Sequence, residues 1–137
     1  MMKLKNKIAI VTGGGKGIGK EICLGLAKEG AKIIIADLDQ ENSSDVVETI
    51  IQNGGDAIYV ETNVSSEQSV KNLIAKSIYK FNQIDILINN AGIRHVKKLE
   101  DHNLNDWNDM ISVNLTGPYI CCQAVIPQMK KLVKVKL

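Results

Sequence analysis

The chain has 137 residues, 45% apolar and 23% charged, which is enough for one ordinary core and too balanced for a disordered or fibrous segment. Its net charge of +2 comes from the C-terminal tail: without Lys130, Lys131, Lys134 and Lys136, 13 basic side chains face 15 acidic ones, a net −2, which argues against nucleic acid as a partner. Cys23, Cys121 and Cys122 fit neither a disulfide framework nor a zinc site, and no apolar run spans a bilayer, so the expectation is a cytoplasmic protein with no metal and no membrane segment.

Apolar runs of strand length alternate with stretches of helical period, the pattern of βαβ units around a parallel sheet. Lys7–Thr12 (KIAIVT) reads as a first strand stopped by glycines. Ile18, Ile22 and Leu26 recur every four residues and place a helix over Gly17–Glu29, with Gly30 at its C-terminal turn. Lys32–Asp37 (KIIIAD) is a second buried strand. Val46, Val47 and Ile50 mark a second helix closed by Asn53-Gly54-Gly55, and Asp56–Thr62 is the third strand. Val70, Leu73, Ile74 and Ile78 mark a third helix capped by Ser65 or Ser66. Ile84–Asn89 (IDILIN) is the fourth strand. Asn103 can then cap a long helix, with Asp106 completing a partial capping box. That helix runs through Trp107 and Met110 toward Met129, and Pro118 should kink it or relax its first half. Trp107 reads as core packing, and His95 and His102 read as solvent-facing loop residues.

Thr12–Gly19 (TGGGKGIG) lies between a buried strand and a helix start, where a phosphate cradle would sit. Glycines let the backbone turn sharply and approach a pyrophosphate, and the helix offers free N–H groups and a positive dipole end. Glycine clusters also make ordinary turns, but here an acid, Asp37, ends the second strand 18 residues after Gly19. A carboxylate there can accept hydrogen bonds from both adenine-ribose hydroxyls and would repel a 2′-phosphate, so NAD is favoured over NADP. Asp37 can also be read as a solvated strand-end acid, and Lys16 in the loop could instead greet a 2′-phosphate.

Taken together, these segments resemble the short-chain dehydrogenase/reductase family. The resemblance is carried by Thr12-Gly13-x-x-x-Gly17-x-Gly19, by NNAG (Asn89–Gly92) after the fourth strand, by NVS (Asn63–Ser65) after the third, and by VNLTGP (Val113–Pro118) in the long helix. It covers Lys5 to Lys131 and implies a Rossmann-type, doubly wound α/β fold, truncated after the fourth strand and the long helix. It implies a nicotinamide dinucleotide as partner and hydride transfer between nicotinamide and a small-molecule alcohol or carbonyl substrate. Complete relatives are expected to be homo-oligomers.

By the same resemblance, Gly13, Gly17, Ile18 and Gly19 would line the pyrophosphate and Asp37 would hold the adenine ribose. Asn63 and Val64 would flank the adenine. Asn90, Ala91 and Gly92 would support the nicotinamide-side ribose and brace the central strands. Asn114 matches the family's catalytic-site asparagine, whose backbone holds a water in the proton relay; it also reads as a helix-kink residue. His95 lies in the loop that approaches substrate in complete relatives.

Family catalysis further needs a serine and a Tyr-x-x-x-Lys pair, in which the lysine lowers the tyrosine pKa from about 10 toward neutrality. Four residues after Tyr59, Tyr79 and Tyr119 stand Asn63, Gln83 and Gln123, so this sequence holds the cofactor half of such a site without the proton-transfer half. The expected organisation is a dinucleotide-binding portion over residues 1–131 and a basic tail over 132–137 foreign to the family. Restoring one base before the codons of that tail yields Thr-Ser-Lys-Gly-Lys-Ile-Ile among the permitted readings, close to the family's approach to its fifth strand. A one-base deletion in the A-rich Lys130-Lys131 codons is therefore expected. A non-catalytic nucleotide-binding module is one alternative reading, and an anion-binding protein acting through the lysine tail is another.

Overall fold

A computed structural model describes residues 1–133. Four parallel strands, β1 (Ile8–Thr12), β2 (Lys32–Asp37), β3 (Ala57–Glu61) and β4 (Ile86–Ile88), form one sheet in the order β3-β2-β1-β4. Helices α1 (Gly17–Lys28), α2 (Gln40–Gln52) and α3 (Glu67–Phe81) connect them. After β4 come a short 3₁₀ turn (Leu99–Asp101), α4 (Leu104–Ile111), a π-helical turn (Ser112–Thr116) and α5 (Gly117–Leu132). The sheet is flanked on both faces, as expected for a doubly wound Rossmann-type arrangement.

The strand sequences explain the layering. β1 up to its last residue, Thr12, and the interior of β2 are apolar without a break, and both stretches are buried throughout, the signature of strands covered on both sides. Ala9, Val11, Ile33 and Ile35 point to one face, where Cys23 of α1 and Val46 and Ile50 of α2 meet them. Ile8, Ile10, Ile34 and Ala36 point to the other, against Leu73 of α3 and Val125 of α5. Register is in step across the sheet: Ile10 lies beside Ile34 and Leu87, and Ile34 beside Ile58.

Turn chemistry follows the sequence closely. Gly30 and Gly54 take φ of +91° and +84° just past α1 and α2. Ser66 caps α3 by accepting the Ser69 N–H, and Asp39, unforeseen from the sequence, caps α2 by accepting that of Asn42. Asn103 and Asp106 form a complete capping box on α4.

The kink expected in the long helix takes the form of a π turn: the backbone stays right-handed helical from α4 through Ser112–Thr116 into α5, and Gly117 N–H reaches back five residues to the Ser112 carbonyl, just before Pro118. Two expectations need correction. Trp107 is 59% exposed, because α4 has no substantial packing against the sheet. The regular ladder of the fourth strand is also shorter than Ile84–Asn89: β4 pairs with β1 alone, and its three residues are only half-buried. Asp85 continues the contact through its side chain. Its carboxylate accepts the Ile8 N–H at 2.9 Å, Lys7 Nζ at 3.0 Å and Gln83 Nε2 at 2.8 Å. Of the foreign tail expected over 132–137, Leu132 ends α5 and residues 134–137 lie outside the described residues.

Candidate dinucleotide site

Strand order reverses on either side of β1, so the carboxyl ends of β1 and β4 open a crevice of the kind in which doubly wound sheets bind ligands. The glycine loop leaves β1 at this point. Gly13 N–H donates to the Ala36 carbonyl at 2.8 Å, carrying the β1–β2 ladder one step past Thr12. The chain then turns into α1 through Gly17, whose φ of +54° favours glycine and whose missing side chain would face open space. Gly19 is glycine for the opposite reason: a methyl there would overlap the Gly13 carbonyl oxygen. The first turn of α1 carries no acidic side chain and no side-chain cap, and Ile18 beside it is 76% exposed. These are the properties of a cradle for a bridging phosphate group: bare backbone, uncapped N–H groups, a positive dipole end and an apolar lip.

Asn90 locks this loop to the end of β4. Its Nδ2 donates to the Thr12 and Gly13 carbonyls at 3.1 and 3.0 Å. Thr12, itself buried, accepts the N–H groups of Asn90 and Ala91 on its hydroxyl, both at 3.0 Å. A methyl on Gly13 would stand 2.9 Å from the Ala91 Cα. Asn90 and Ala91 thus tie the end of β4 to the end of β1 and the glycine loop.

Asp37 closes the other end. Its Oδ2 accepts the Gly15 N–H at 2.9 Å and its Oδ1 the Asp39 N–H at 3.0 Å, which fixes the carboxylate at the tip of β2. Each oxygen retains a further lone pair for a ligand hydroxyl. The surroundings are acidic: the Tyr59 phenol is held above its ordinary value by burial first, and then by the charges of Glu61, Asp37 and Asp39. Lys16 sits 4.0 Å from Asp39 Oδ2, on the rim of this group. Burial, reinforced by the Asp37 charge, pushes the Cys23 thiol beneath the loop up to about 12.

Asn63 and Val64 lie at the end of β3 but are occupied differently. Asn63 Oδ1 accepts both the N–H and the hydroxyl of Ser65, forming the turn that leads into α3. Val64 is buried against Gly117, where a methyl would come within 2.8 Å of its Cγ2. Asn114 stands in the π turn, with both ends of its side-chain amide bonded to Ile93: Oδ1 accepts the Ile93 N–H and Nδ2 donates to the Ile93 carbonyl, both at 2.8 Å. Gly92 lies against it, since a methyl there would meet Asn114 Oδ1 at 3.3 Å. The π turn therefore aims Asn114 across the crevice to hold the loop after β4, a link that helical periodicity alone does not reveal.

The same loop corrects the reading of His95. Its Nε2 is sealed from solvent without a hydrogen-bond partner and lies 4.0 Å from Asp109 Oδ2. Nearby, the Lys97 ammonium donates to Asp106 at 2.7 Å and, with the Asn103 N–H, holds that carboxyl below the usual carboxylate range. His102 is half-buried, its Nε2 3.3 Å from the Lys97 carbonyl.

The profile of the short chain dehydrogenase family matches residues 7–135, and the chain belongs to that family, which uses NAD(P). An uncharacterized oxidoreductase of Thermotoga maritima is 41% identical over 128 residues, covering 93% of this chain and 50% of the relative. A 3-oxoacyl-[acyl-carrier-protein] reductase of Synechocystis is 42% identical over 132 residues, covering 96% and 53%. A 2,5-dichloro-2,5-cyclohexadiene-1,4-diol dehydrogenase of Sphingobium indicum is 36% identical over 129 residues, covering 94% and 52%. A crystal structure assigned to the short-chain dehydrogenases/reductases, from Burkholderia xenovorans, superposes with a TM-score of 0.90 at 29% identity, over 96% of this chain and 54% of that one. The chain spans about half the length of the curated relatives it matches. Among the described residues, no helix is long and apolar enough to cross a membrane.

Proposed function

We propose that this chain binds NAD in preference to NADP, and that it forms the cofactor-binding part of an oxidoreductase acting on an alcohol or carbonyl substrate. The observation that carries the reading is the Asp37 carboxylate, pinned by two backbone N–H groups at the strand tip and ringed by Asp39 and Glu61. A ribose diol finds two fixed acceptors there, whereas a 2′-phosphate meets like charge. Lys16 could offset that charge, but it leans toward Asp39, and such an exposed pair is worth little by itself.

When bound, the nicotinamide supplies or accepts the hydride. The chain's own residues bind and orient. Gly13, Gly17, Ile18 and Gly19 with the start of α1 would hold the pyrophosphate, Asp37 the adenine ribose, and Val64 and Asn63 the rim beside the adenine. Asn90, Ala91 and Gly92 would keep the nicotinamide side of the crevice in place by tying β4 to the glycine loop. Asn114, with its side chain committed to Ile93, is left to act through its backbone on a water in the proton path. Proton exchange itself is not carried by Tyr59, Tyr79 or Tyr119, since none has a lysine four residues on. The 137-residue chain therefore binds the dinucleotide without turnover. The reducing cytoplasm suits its three free thiols, and the net −2 of the body without the tail lysines does not favour nucleic acid as a partner.

Titration of the purified chain with NADH, followed by nicotinamide fluorescence, tests this reading. Saturable binding weakened about tenfold or more by Asp37→Ala supports it, at roughly 1.4 kcal/mol per tenfold. Binding indifferent to Asp37→Ala, or NAD reduction sustained with an alcohol panel, contradicts it.

A further inference from the structure

Ser43, in the first turn of α2, is fully buried, and its hydroxyl has no hydrogen-bond partner. A buried hydroxyl left unpaired costs about 1–3 kcal/mol, so a position needing only to be filled is better served by alanine. The hydroxyl is directed at the glycine loop. A methyl added to Gly15 would stand 2.6 Å from Ser43 Oγ, 3.1 Å from Asp37 Oδ2 and 3.3 Å from the Ser43 amide nitrogen. Ser43, Gly15 and the Asp37 carboxylate thus converge on one point with no room for a further carbon. The backbone joins the same group: Gly15 N–H donates to Asp37 Oδ2, Asp39 N–H to Asp37 Oδ1, and Ser43 N–H to the Asp39 carbonyl at 3.2 Å.

We propose that Ser43 is a positioning residue for dinucleotide selection: its hydroxyl, wedged against Gly15, sets where the Gly15 N–H meets Asp37 and so fixes the carboxylate that takes a ribose diol and refuses a 2′-phosphate. The proposal rests on the NAD reading above and adds a residue that acts only through its neighbours. Removing the hydroxyl loosens the contact, and adding a methyl at Gly15 overfills it. The two changes are opposed in volume at one point, so their effects must couple.

The test uses the full chain and three variants, Ser43→Ala, Gly15→Ala and the double substitution. Calorimetric Kd values for NAD and NADP are measured alongside hydrogen exchange of the Gly15 amide by NMR. Ser43→Ala should weaken NAD about fivefold, leave NADP unchanged and quicken Gly15 exchange by a similar factor, with no fall in Tm because the lost hydroxyl had no partner. Gly15→Ala should weaken NAD about tenfold or more, and Ser43→Ala in that background should restore part of the loss. Unchanged NAD affinity and Gly15 exchange in Ser43→Ala, with additive effects in the double variant, would reduce Ser43 to filler and overturn the proposal. If the unsubstituted chain prefers NADP or binds neither dinucleotide, the NAD reading fails separately. Gly15 exchange in Ser43→Ala then still decides whether Ser43 positions the Gly15–Asp37 contact, faster exchange supporting that part and unchanged exchange overturning it.

Discussion

The centre of the sheet and its β4 edge are built to different standards. Around β1, β2 and the glycine loop, each polar group at the strand tips that contacts Asp37, Thr12 or Asn90 is spoken for, and every strand residue from Ile8 to Val11 is buried. Around β4, α4 and α5, the edge strand is half-buried and Leu104, Trp107, Leu115 and Tyr119 face outward. The first region is closed by local turns and by Asn90 reaching back to it from the end of β4. The second buries Val125 and Ile120 of α5 but leaves much of its remaining apolar surface uncovered among the described residues, and an open, apolar strand edge invites pairing with other chains.

The largest expected effect lies in the cradle. Gly19→Ala places a methyl on the Gly13 carbonyl oxygen and 2.5 Å from Asn90 Nδ2, so the clamp between loop and β4 must open. The expected loss is about 3 kcal/mol by denaturant unfolding, together with loss of dinucleotide binding. A variant of unchanged stability would show that the loop is looser than its contacts indicate.

Asp85 is where the well-built region holds the weak one, and its removal should come next in size. Burial pulls its carboxyl upward, but the Ile8 N–H, Lys7 and Gln83 outweigh that and hold it below the usual carboxylate range. Asp85→Ala should cost about 2 kcal/mol, the order of a hydrogen-bonded charge. Because the native pKa is depressed, this stability is present above the unfolded value of about 3.9 and is lost as pH falls through the native one. An Asp85→Asn variant should accordingly show a shallower decline in Tm below about pH 4 than the unsubstituted chain.

Legibility followed the same divide. Strands β1 and β2, the α1–β2 turn at Gly30 and the acid at Asp37 were readable because unbroken apolar runs and glycine positions are set by local sterics and by burial on two faces. The Asn103–Asp106 capping box was readable for a similar reason, since both partners lie within one turn. Trp107 misled because helical periodicity records that a face is apolar, not that anything covers it. The kink itself was readable from Pro118 and Asn114, but its π form was not, because it goes with Asn114 reaching Ile93, 21 residues away, and with Gly117 fitting against Val64. Ser43 gave no signal at all, because a serine in the first turn of a helix is ordinary until its hydroxyl is seen pressed against Gly15.

Smaller effects sharpen the contrast. Burial pushes Cys23 to about 12 and Cys121 to about 11, so both remain thiols at neutral pH, while Cys122 is exposed. Iodoacetamide at pH 7.5 (a reaction condition of about neutral pH) should modify one thiol of three in the native chain, located by mass spectrometry at Cys122. Rapid modification of Cys23 would mean that the glycine loop opens. Smallest of all, Trp107→Ala should change stability by no more than about 0.5 kcal/mol, as for an exposed side chain. A cost of several times that would show that α4 is packed against something in solution.

The central claim is that residues Thr12 to Asp37 form a finished, NAD-selecting cradle in this chain. Isothermal titration of one preparation with NAD and with NADP tests it most directly. The account predicts a Kd for NAD about tenfold or more below that for NADP, a gap of at least about 1.4 kcal/mol set by Asp37 and its acidic neighbours. Equal affinities, or tighter binding of NADP, would contradict it.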